Sequence, residues 1–554
     1  MTEKRISRRD FIRFSGIGTA ALLGGGTLVN FLSGCTTQEV VSPTATSGIS
    51  GAAAAESTLP PGSGISGVEP DVEIAMRAVP SKISILPGEP TSVWQYQAEL
   101  LKGPPGTLQN LPNTYLGPAI KLNTGQQVRV HFTNQLSEPS IVHWHGLHVP
   151  QEADGHPRLA IGSGETYVYD FQVANRAGTY WYHPHPHGRT GPQAYYGMAG
   201  LFLVSDEQER ALGLPAGEFD VPLVIQDRTF DRDNQLIYMG NGIMTQMMGF
   251  LGERILVNGQ PDFTLPVATR PYRMRLLNGS NSRIYKLAWE DGTPLTVIGT
   301  DGGLLEKPLQ KKYITLAPSE RAEIWVDFSQ YPIGSQIRLV SLAFSGNDGD
   351  MMGGMMGDAS LPQGAPFTVM AVEVAEKANS STRLPEKLSS FSHYMAADAV
   401  NAGSPRTFTL AMSMGMSWTI NGRTFQMTDV ADDEIVKLDT LEMWEFINQA
   451  GGGSQGRGMG NMMGGGMTLP HPMHVHGLQF QVVEREIDPA FRGAWETVSD
   501  GYLDEGWKDT VLTMPGERVK ILLKFEDFSG LYLYHCHNLE HEDMGMMRNY
   551  RVVS

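Results

Sequence analysis

Residues 535–547 read His-Cys-His-Asn-Leu-Glu-His-Glu-Asp-Met-Gly-Met-Met, thirteen positions that hold three imidazoles, one thiol and three thioethers. A β-strand sends successive side chains to opposite faces. A strand beginning here points His535 and His537 one way and Cys536 the other. One sulfur then lies back to back with two imidazoles, a covalent path a few bonds long between two sites. His541 and Met546 follow at spacings that let a loop fold back over the cysteine. Two His, one Cys and a weak axial Met make the ligand set of a blue copper electron-transfer site. Read alone, the run also fits a zinc site or a solvated His-rich turn.

Three further His-x-His pairs narrow the choice: His143-Trp-His145-Gly, His183-Pro-His185 and His471-Pro-Met-His474-Val-His476-Gly. One such pair is often surface decoration on a strand. Four pairs in one chain give eight imidazoles, more than a single zinc uses and enough for several ions held between domains. Ten of the 15 histidines fall on these positions. The four segments resemble, in residue type and spacing, the four copper-binding motifs of the multicopper oxidases, and the likeness extends along the chain from about residue 76.

That resemblance implies four copper ions. Carried over by motif position, type 1 copper takes His471, Cys536, His541 and Met546. Type 2 takes His143 and His474. The type 3 pair takes His145, His183, His185, His476, His535 and His537. It also implies serial chemistry: a reductant gives up electrons singly, Cys536 and its flanking imidazoles carry each onward, and dioxygen is reduced to water. Two carboxylates match the family's proton-carrying positions, Asp154, nine residues after His145, and Glu542, beside His541. Of the remaining histidines, His187 continues the His-Pro-His run one pair beyond the matched ligands and reads as a neighbour of the site or a loop residue, while His131, His148, His156 and His393 read as structural.

Composition bounds the rest. At 554 residues several domains are expected. The formal net charge of −17 argues against a nucleic-acid partner and suits the attraction of cations. Of the two cysteines Cys536 is a ligand candidate, so no intramolecular disulfide is expected. Ser7-Arg8-Arg9-Asp10-Phe11-Ile12 ahead of a Gly-rich apolar run resembles a twin-arginine export signal. Leu32-Ser33-Gly34-Cys35 resembles a lipoprotein box, with Cys35 as the lipidated residue. The expectation is a signal over 1–34, a Ser/Thr/Ala/Gly/Pro-rich tether over 35–75, and an exported, membrane-anchored monomer.

The elements that must position these ligands repeat at domain scale. Gly164-Glu165 and Gly516-Glu517 each open a strand and lead, 19 residues after the Gly, to His183 and His535. Pro318-Ser-Glu-Arg321 opens a middle copy without His. A second strand recurs as Val128–Asn134, Tyr272–Asn278 and Glu442–Asn448. Period-two strands punctuated by Gly and Pro, with no long helical pattern, predict an all-β chain of β-sandwiches. The resemblance makes them three cupredoxin-like Greek-key domains, at 76–207, 217–375 and 400–554. The middle one, free of ligands, reads as a spacer that lets the outer two face each other.

Methionine speaks to the reductant. Four clusters hold 14 of the 28: Met244, Met247 and Met248; Met351, Met352, Met355 and Met356; Met412, Met414 and Met416; and Met459, Met462, Met463 and Met467. Methionine often fills irregular core space, which suits an alternating strand at 412–416. It does not suit the Gly-rich stretches, which have no core-forming period. Soft thioethers select Cu(I), so Met351, Met352, Met355, Met356, Met459, Met462, Met463 and Met467 are candidate substrate-binding residues. The chain thus resembles the bacterial copper-efflux oxidases, with Cu(I) as reductant and small phenols or aromatic amines as alternatives. It departs from that group just before His471, where Met467-Thr-Leu-Pro470 has no carboxylate. A laccase-type oxidase with a Met-rich lid, and a copper-storing or scaffolding protein without turnover, are the competing readings.

Overall fold

The computed structural model describes residues 67–239, 242–345, 361–413, 416–449 and 468–554. The twin-arginine segment and Cys35 lie outside them, as do Met351, Met352, Met355, Met356, Met414, Met459, Met462, Met463 and Met467. Among the described residues the structure is built of strands, and the longest helices, Thr190–Tyr195 and Ile243–Met248, have six residues.

Six sheets pair into three sandwiches. In the first, strands Val72–Ile83, Thr91–Lys102, Gln127–Asn134 and Thr166–Gln172 form one sheet. Its inward residues Val72, Ile74, Val128, Val130 and Phe132 share a core with Trp144, Tyr182 and Phe202 of the other. The strand Val72–Ile83 begins inside the segment read as tether, because Val72, Ile74, Met76 and Ala78 already alternate into that core. Second and third cores form likewise between Asp220 and Glu376 and between Arg406 and Val553.

The recurring strand explains the repeat. Gln127–Asn134, Pro271–Asn278 and Thr440–Asn448 each pair parallel with the first strand of their sandwich and antiparallel with a later one. Each ends in a buried Asn whose side-chain amide reaches two backbone carbonyls. Asn134 donates to Glu138 O and Ile161 O, Asn278 to Arg283 O and Leu316 O, and Asn448 to Leu469 O and Thr513 O, all within 3.0 Å. One side chain thus ties strand end, loop and return strand, satisfying carbonyls that burial would otherwise leave unpaired. In the first copy the strand alternates buried and half-buried residues. In the middle copy every position is buried, because Arg273 and Arg275 enter a charge cluster with Glu209, Asp220 and Glu323.

Candidate metal centres

The ten motif histidines, Cys536, Met546, Asp154 and Glu542 each expose 1% or less of their surface. Strand Gly530–Cys536 lies between His471–Val475 and Met547–Val553, with Met473 opposite Cys536 and His474 opposite His535. In the first sandwich Val142–His145 pairs with Gly178–Pro184, His143 opposite His183. Alternation on the Gly530–Cys536 strand does what the sequence predicts. Cys536 joins the core of the third sandwich, while His535 meets histidines of the first.

On the Cys536 side, Asn538 caps the short helix Leu539–Asp543 and accepts from the His541 N–H at 3.3 Å. Cys536 N–H donates to Met546 O at 3.1 Å and Met546 N–H to His541 O at 2.9 Å, folding the loop back over the thiol. Cys536 Sγ lies 3.4 Å from His471 Nδ1 and 3.6 Å from His541 Nδ1, and the two Nδ1 atoms are 3.3 Å apart. His541 Nε2 faces the Met247 carbonyl at 3.0 Å. With the proton held at Nε2, the Nδ1 lone pair is free to bind a metal. Burial holds the His471 imidazole well below its usual range, lowers His541 to about 3 and pushes the Cys536 thiol up. Two imidazole nitrogens and one sulfur, which binds metal as its thiolate, converge on one point, and that set suits copper.

On the other side eight imidazoles from two sandwiches meet. His143 Nε2 lies 3.3 Å from His474 Nε2, His185 Nε2 3.3 Å and His476 Nε2 3.0 Å from His535 Nε2, and His183 Nε2 3.4 Å from His537 Nε2. His145 turns its Nδ1 inward instead, 3.4 Å from His183 Nε2. Several outer nitrogens find oxygens, His143 Nδ1 the Asp154 carbonyl (2.6 Å), His474 Nδ1 the Asp509 carbonyl (2.7 Å) and His183 Nδ1 the Pro184 carbonyl (2.9 Å), while those of His185 and His537 are buried without a hydrogen-bond partner. Burial lowers the pKa of seven of these histidines, His183 to about 4 and the rest well below the usual imidazole range, with neighbouring imidazoles adding to the effect. Neutral rings with outward N–H groups present lone pair to lone pair. Cations between them resolve that repulsion, and three overlapping groups (His143, His474 and His476; His143, His145 and His183; His185, His476 and His535) can each hold one.

Both predicted carboxylates border this cluster. Asp154 Oδ2 accepts from His476 Nδ1 at 2.8 Å, while its Oδ1 is buried without a hydrogen-bond partner. Burial pushes Asp154 up to about 8. Glu542 lies between sandwiches, Oε1 3.6 Å from His185 Nε2 and Oε2 3.2 Å from His535 Nδ1. Among the described residues, none of the five remaining histidines belongs to a metal-binding group. His148 reaches the Gly477 carbonyl (2.6 Å) and buried His156 reaches Asn549 (2.8 Å), both joining the first and third sandwiches. His131 and His393 face Glu73 and Glu306, and exposed His187 lies against Phe425.

Three contributors escaped sequence reasoning. Trp418 packs its ring 4.8 Å from His471 and 4.6 Å from His541, and its Nε1–H donates to the Met247 carbonyl at 2.9 Å. Asp509 touches His145 Nε2 at 3.0 Å and is paired with Arg321. Only the repeat marked Arg321, and it aligned that residue with half-exposed Arg518, whose partner is Glu445. The middle sandwich is therefore more than a spacer. Met248 and Met412 pack against the core that holds Cys536 and Met546. The strand bearing Met412 ends there, and Met416 is exposed.

Two family profiles described as multicopper oxidase match residues 93–209 and 400–554. The chain is 30% identical over 531 residues to a laccase of Bacillus stratosphericus, across 87% of this chain and 94% of that one. The crystal structure of the McoA multicopper oxidase from the hyperthermophile Aquifex aeolicus superposes with a TM-score of 0.71 at 35% identity, covering 88% of this chain and 97% of its own. A Campylobacter jejuni multicopper oxidase described as a metallo-oxidase superposes with a TM-score of 0.66 at 26% identity, covering 87% and 91%. The three sandwiches are accordingly cupredoxin-like. With that likeness running through all of them, over a donor set that suits copper, the chain belongs to the multicopper oxidases, copper-dependent oxidoreductases with dioxygen as acceptor.

Proposed function

We propose that this oxidase takes its electrons from Cu(I), serves copper detoxification, and works outside the cytoplasm as a lipoprotein anchored at Cys35 after twin-arginine export. Four copper ions are assigned: one at His471, Cys536, His541 and Met546, one at His143 and His474, and a pair at the other six motif histidines. Bound there, copper supplies one-electron redox chemistry and a place for dioxygen to be reduced.

The chain's own groups do the rest. Cys536 links, through its backbone, to His535 and His537 on the far face of its strand, the shortest covalent route between the two centres. Asp154 holds a proton at Oδ1, which has no other partner, while Oδ2 keeps the N–H of His476. Glu542 reaches His185 and His535 and serves the opposite side. Trp418 and the Met247 carbonyl fix the two imidazoles nearest the entry point.

The observation that carries the cuprous reading is the placing of methionine around the Cys536 centre. Helix Ile243–Met248 of the middle sandwich meets His541 through the backbone carbonyl of Met247, and the side chains of Met248 and Met412 pack on the same core. The Met-Gly stretch 451–467 runs up to Pro470 and His471 in sequence. The relative described as a metallo-oxidase supports the same reading. Oxidation of phenols and aromatic amines is the second reading, favoured by the relatives named laccase.

Deleting residues 451–467 separates the two. The expected result is a KM for Cu(I) raised about tenfold or more, the equivalent of losing ~1.4 kcal/mol of soft-ligand binding. Phenol oxidation should change less. Unaltered Cu(I) kinetics with faster turnover of bulky phenols would make the stretch a lid and remove the cuprous proposal. A separate result is expected of Met546→Leu: the blue absorption survives and the potential of the Cys536 centre rises, because the weak axial thioether is lost. Redox titration reads it.

A further inference from the structure

Among the eight clustered imidazoles, seven turn Nε2 inward and His145 alone turns Nδ1. That ring must carry its proton at Nε2, the opposite tautomer from its neighbours. Something has to impose the difference. The nearer group facing His145 Nε2 is Asp509 Oδ1, at 3.0 Å, with Thr510 Oγ1 behind it at 3.4 Å. A free carboxylate in that position would rotate. Asp509 cannot, because Arg321 grips both its oxygens, Nη1 to Oδ1 at 2.7 Å and Nη2 to Oδ2.

Arg321 is itself held from all sides. Its Nε donates to Thr179 O of the first sandwich at 3.0 Å, Nη1 also to Ser319 O and Nη2 to Asp301 O, each at 3.0 Å. Its backbone N–H donates to Asp301 Oδ1 at 2.7 Å. Lys508, next to Asp509, reaches Asp301 and Glu320. All three sandwiches thus meet on one buried guanidinium. Asp509 passes the constraint on twice, by its carboxylate to His145 and by its carbonyl to His474 Nδ1 at 2.7 Å. Gly146 makes room for it. This glycine has φ +84°, and a Cβ there would collide with Asp509 Oδ2 and Arg321 Nη2.

We infer that Arg321, from the sandwich without metal ligands, is a positioning residue of the oxygen-reducing centre, acting through Asp509 to set the tautomer of His145 and the orientation of His474. The inference rests on the proposed assignment of His145 and His474 as copper ligands.

The test uses the copper-loaded full chain. Arg321→Met should leave the blue absorption of the Cys536 centre unchanged. It should shift the electron paramagnetic resonance hyperfine pattern of the copper at His143 and His474, and weaken the near-ultraviolet band of the coupled pair. Copper retention against a chelator should fall roughly 10- to 100-fold at these positions, the usual cost of removing a group that orients a ligand. A purely structural role would lower the melting temperature and leave the spectra alone, and that result overturns the inference. If Arg321→Met does not fold, Arg321→Lys, which keeps the charge but loses the two-pronged grip, takes its place under the same criteria. Failure of both to fold counts as a structural role and equally overturns it. Absence of these signals in the wild-type protein would instead overturn the ligand assignment.

Discussion

Replacing Cys536 with serine is expected to abolish the blue absorption and reduce oxygen consumption to background with every reductant, while the eight-histidine cluster keeps its copper. Serine has the right shape for a side chain with no exposed surface. It offers a hard oxygen where the site presents a soft sulfur to His471 Nδ1 and His541 Nδ1 at 3.4 and 3.6 Å. It also breaks the thiolate end of the route that continues to His535 and His537. The buried hydroxyl costs about 1–3 kcal/mol if nothing receives it, too little to unfold a chain with three extensive cores. Metal analysis, absorption and an oxygen electrode on one preparation read the outcome. Residual steady turnover above background would show that electrons reach the histidine cluster without the sulfur.

Asp154→Asn is expected to slow oxygen reduction roughly 100- to 10,000-fold, the range in which a placed general acid contributes, with the blue absorption intact. Asparagine preserves the backbone carbonyl that receives His143 Nδ1 at 2.6 Å. Its amide oxygen can still accept from His476 Nδ1, as Asp154 Oδ2 does now, so the ring stays in place. What is lost is an atom able to hold and release a proton at the position of the partnerless Oδ1. His471, Cys536 and His541 have no hydrogen bond to Asp154 among the described contacts, so the electron-entry centre should not register the change. Anaerobic reduction by donor followed by rapid mixing with dioxygen separates the two halves: normal bleaching with slow reoxidation is the expected pattern. Unchanged reoxidation would remove Asp154 from proton delivery.

Much of this architecture is legible from spacing alone. Alternation in His535-Cys536-His537 places one sulfur and two imidazoles on opposite faces, because a strand's period of two admits no other arrangement. The recurring strand ending in Asn134, Asn278 and Asn448 marks three related sandwiches, although only the structure gives the reason for the amide. Arg321 and Asp509 were not legible. They stand 188 positions apart, in ordinary polar surroundings, and acquire meaning only when three domains close around them. The repeat even pointed the wrong way for Arg321, because its counterpart Arg518 pairs with Glu445 near solvent. Trp418 hid for a similar reason: a buried Trp in a β-sandwich reads as core, and its proximity to two ligand rings is a tertiary fact.

The eight-imidazole cluster draws its members from residues 143–185 on one side and 474–537 on the other. An ion that binds only the closed arrangement stabilises that arrangement by mass action. Copper bound at this cluster, as proposed, would therefore also act as a clasp, turning the repulsion of facing lone pairs into a pull between the outer domains. Metal scarcity would be felt first as a loosening of the seam between them, long before any single sandwich gave way.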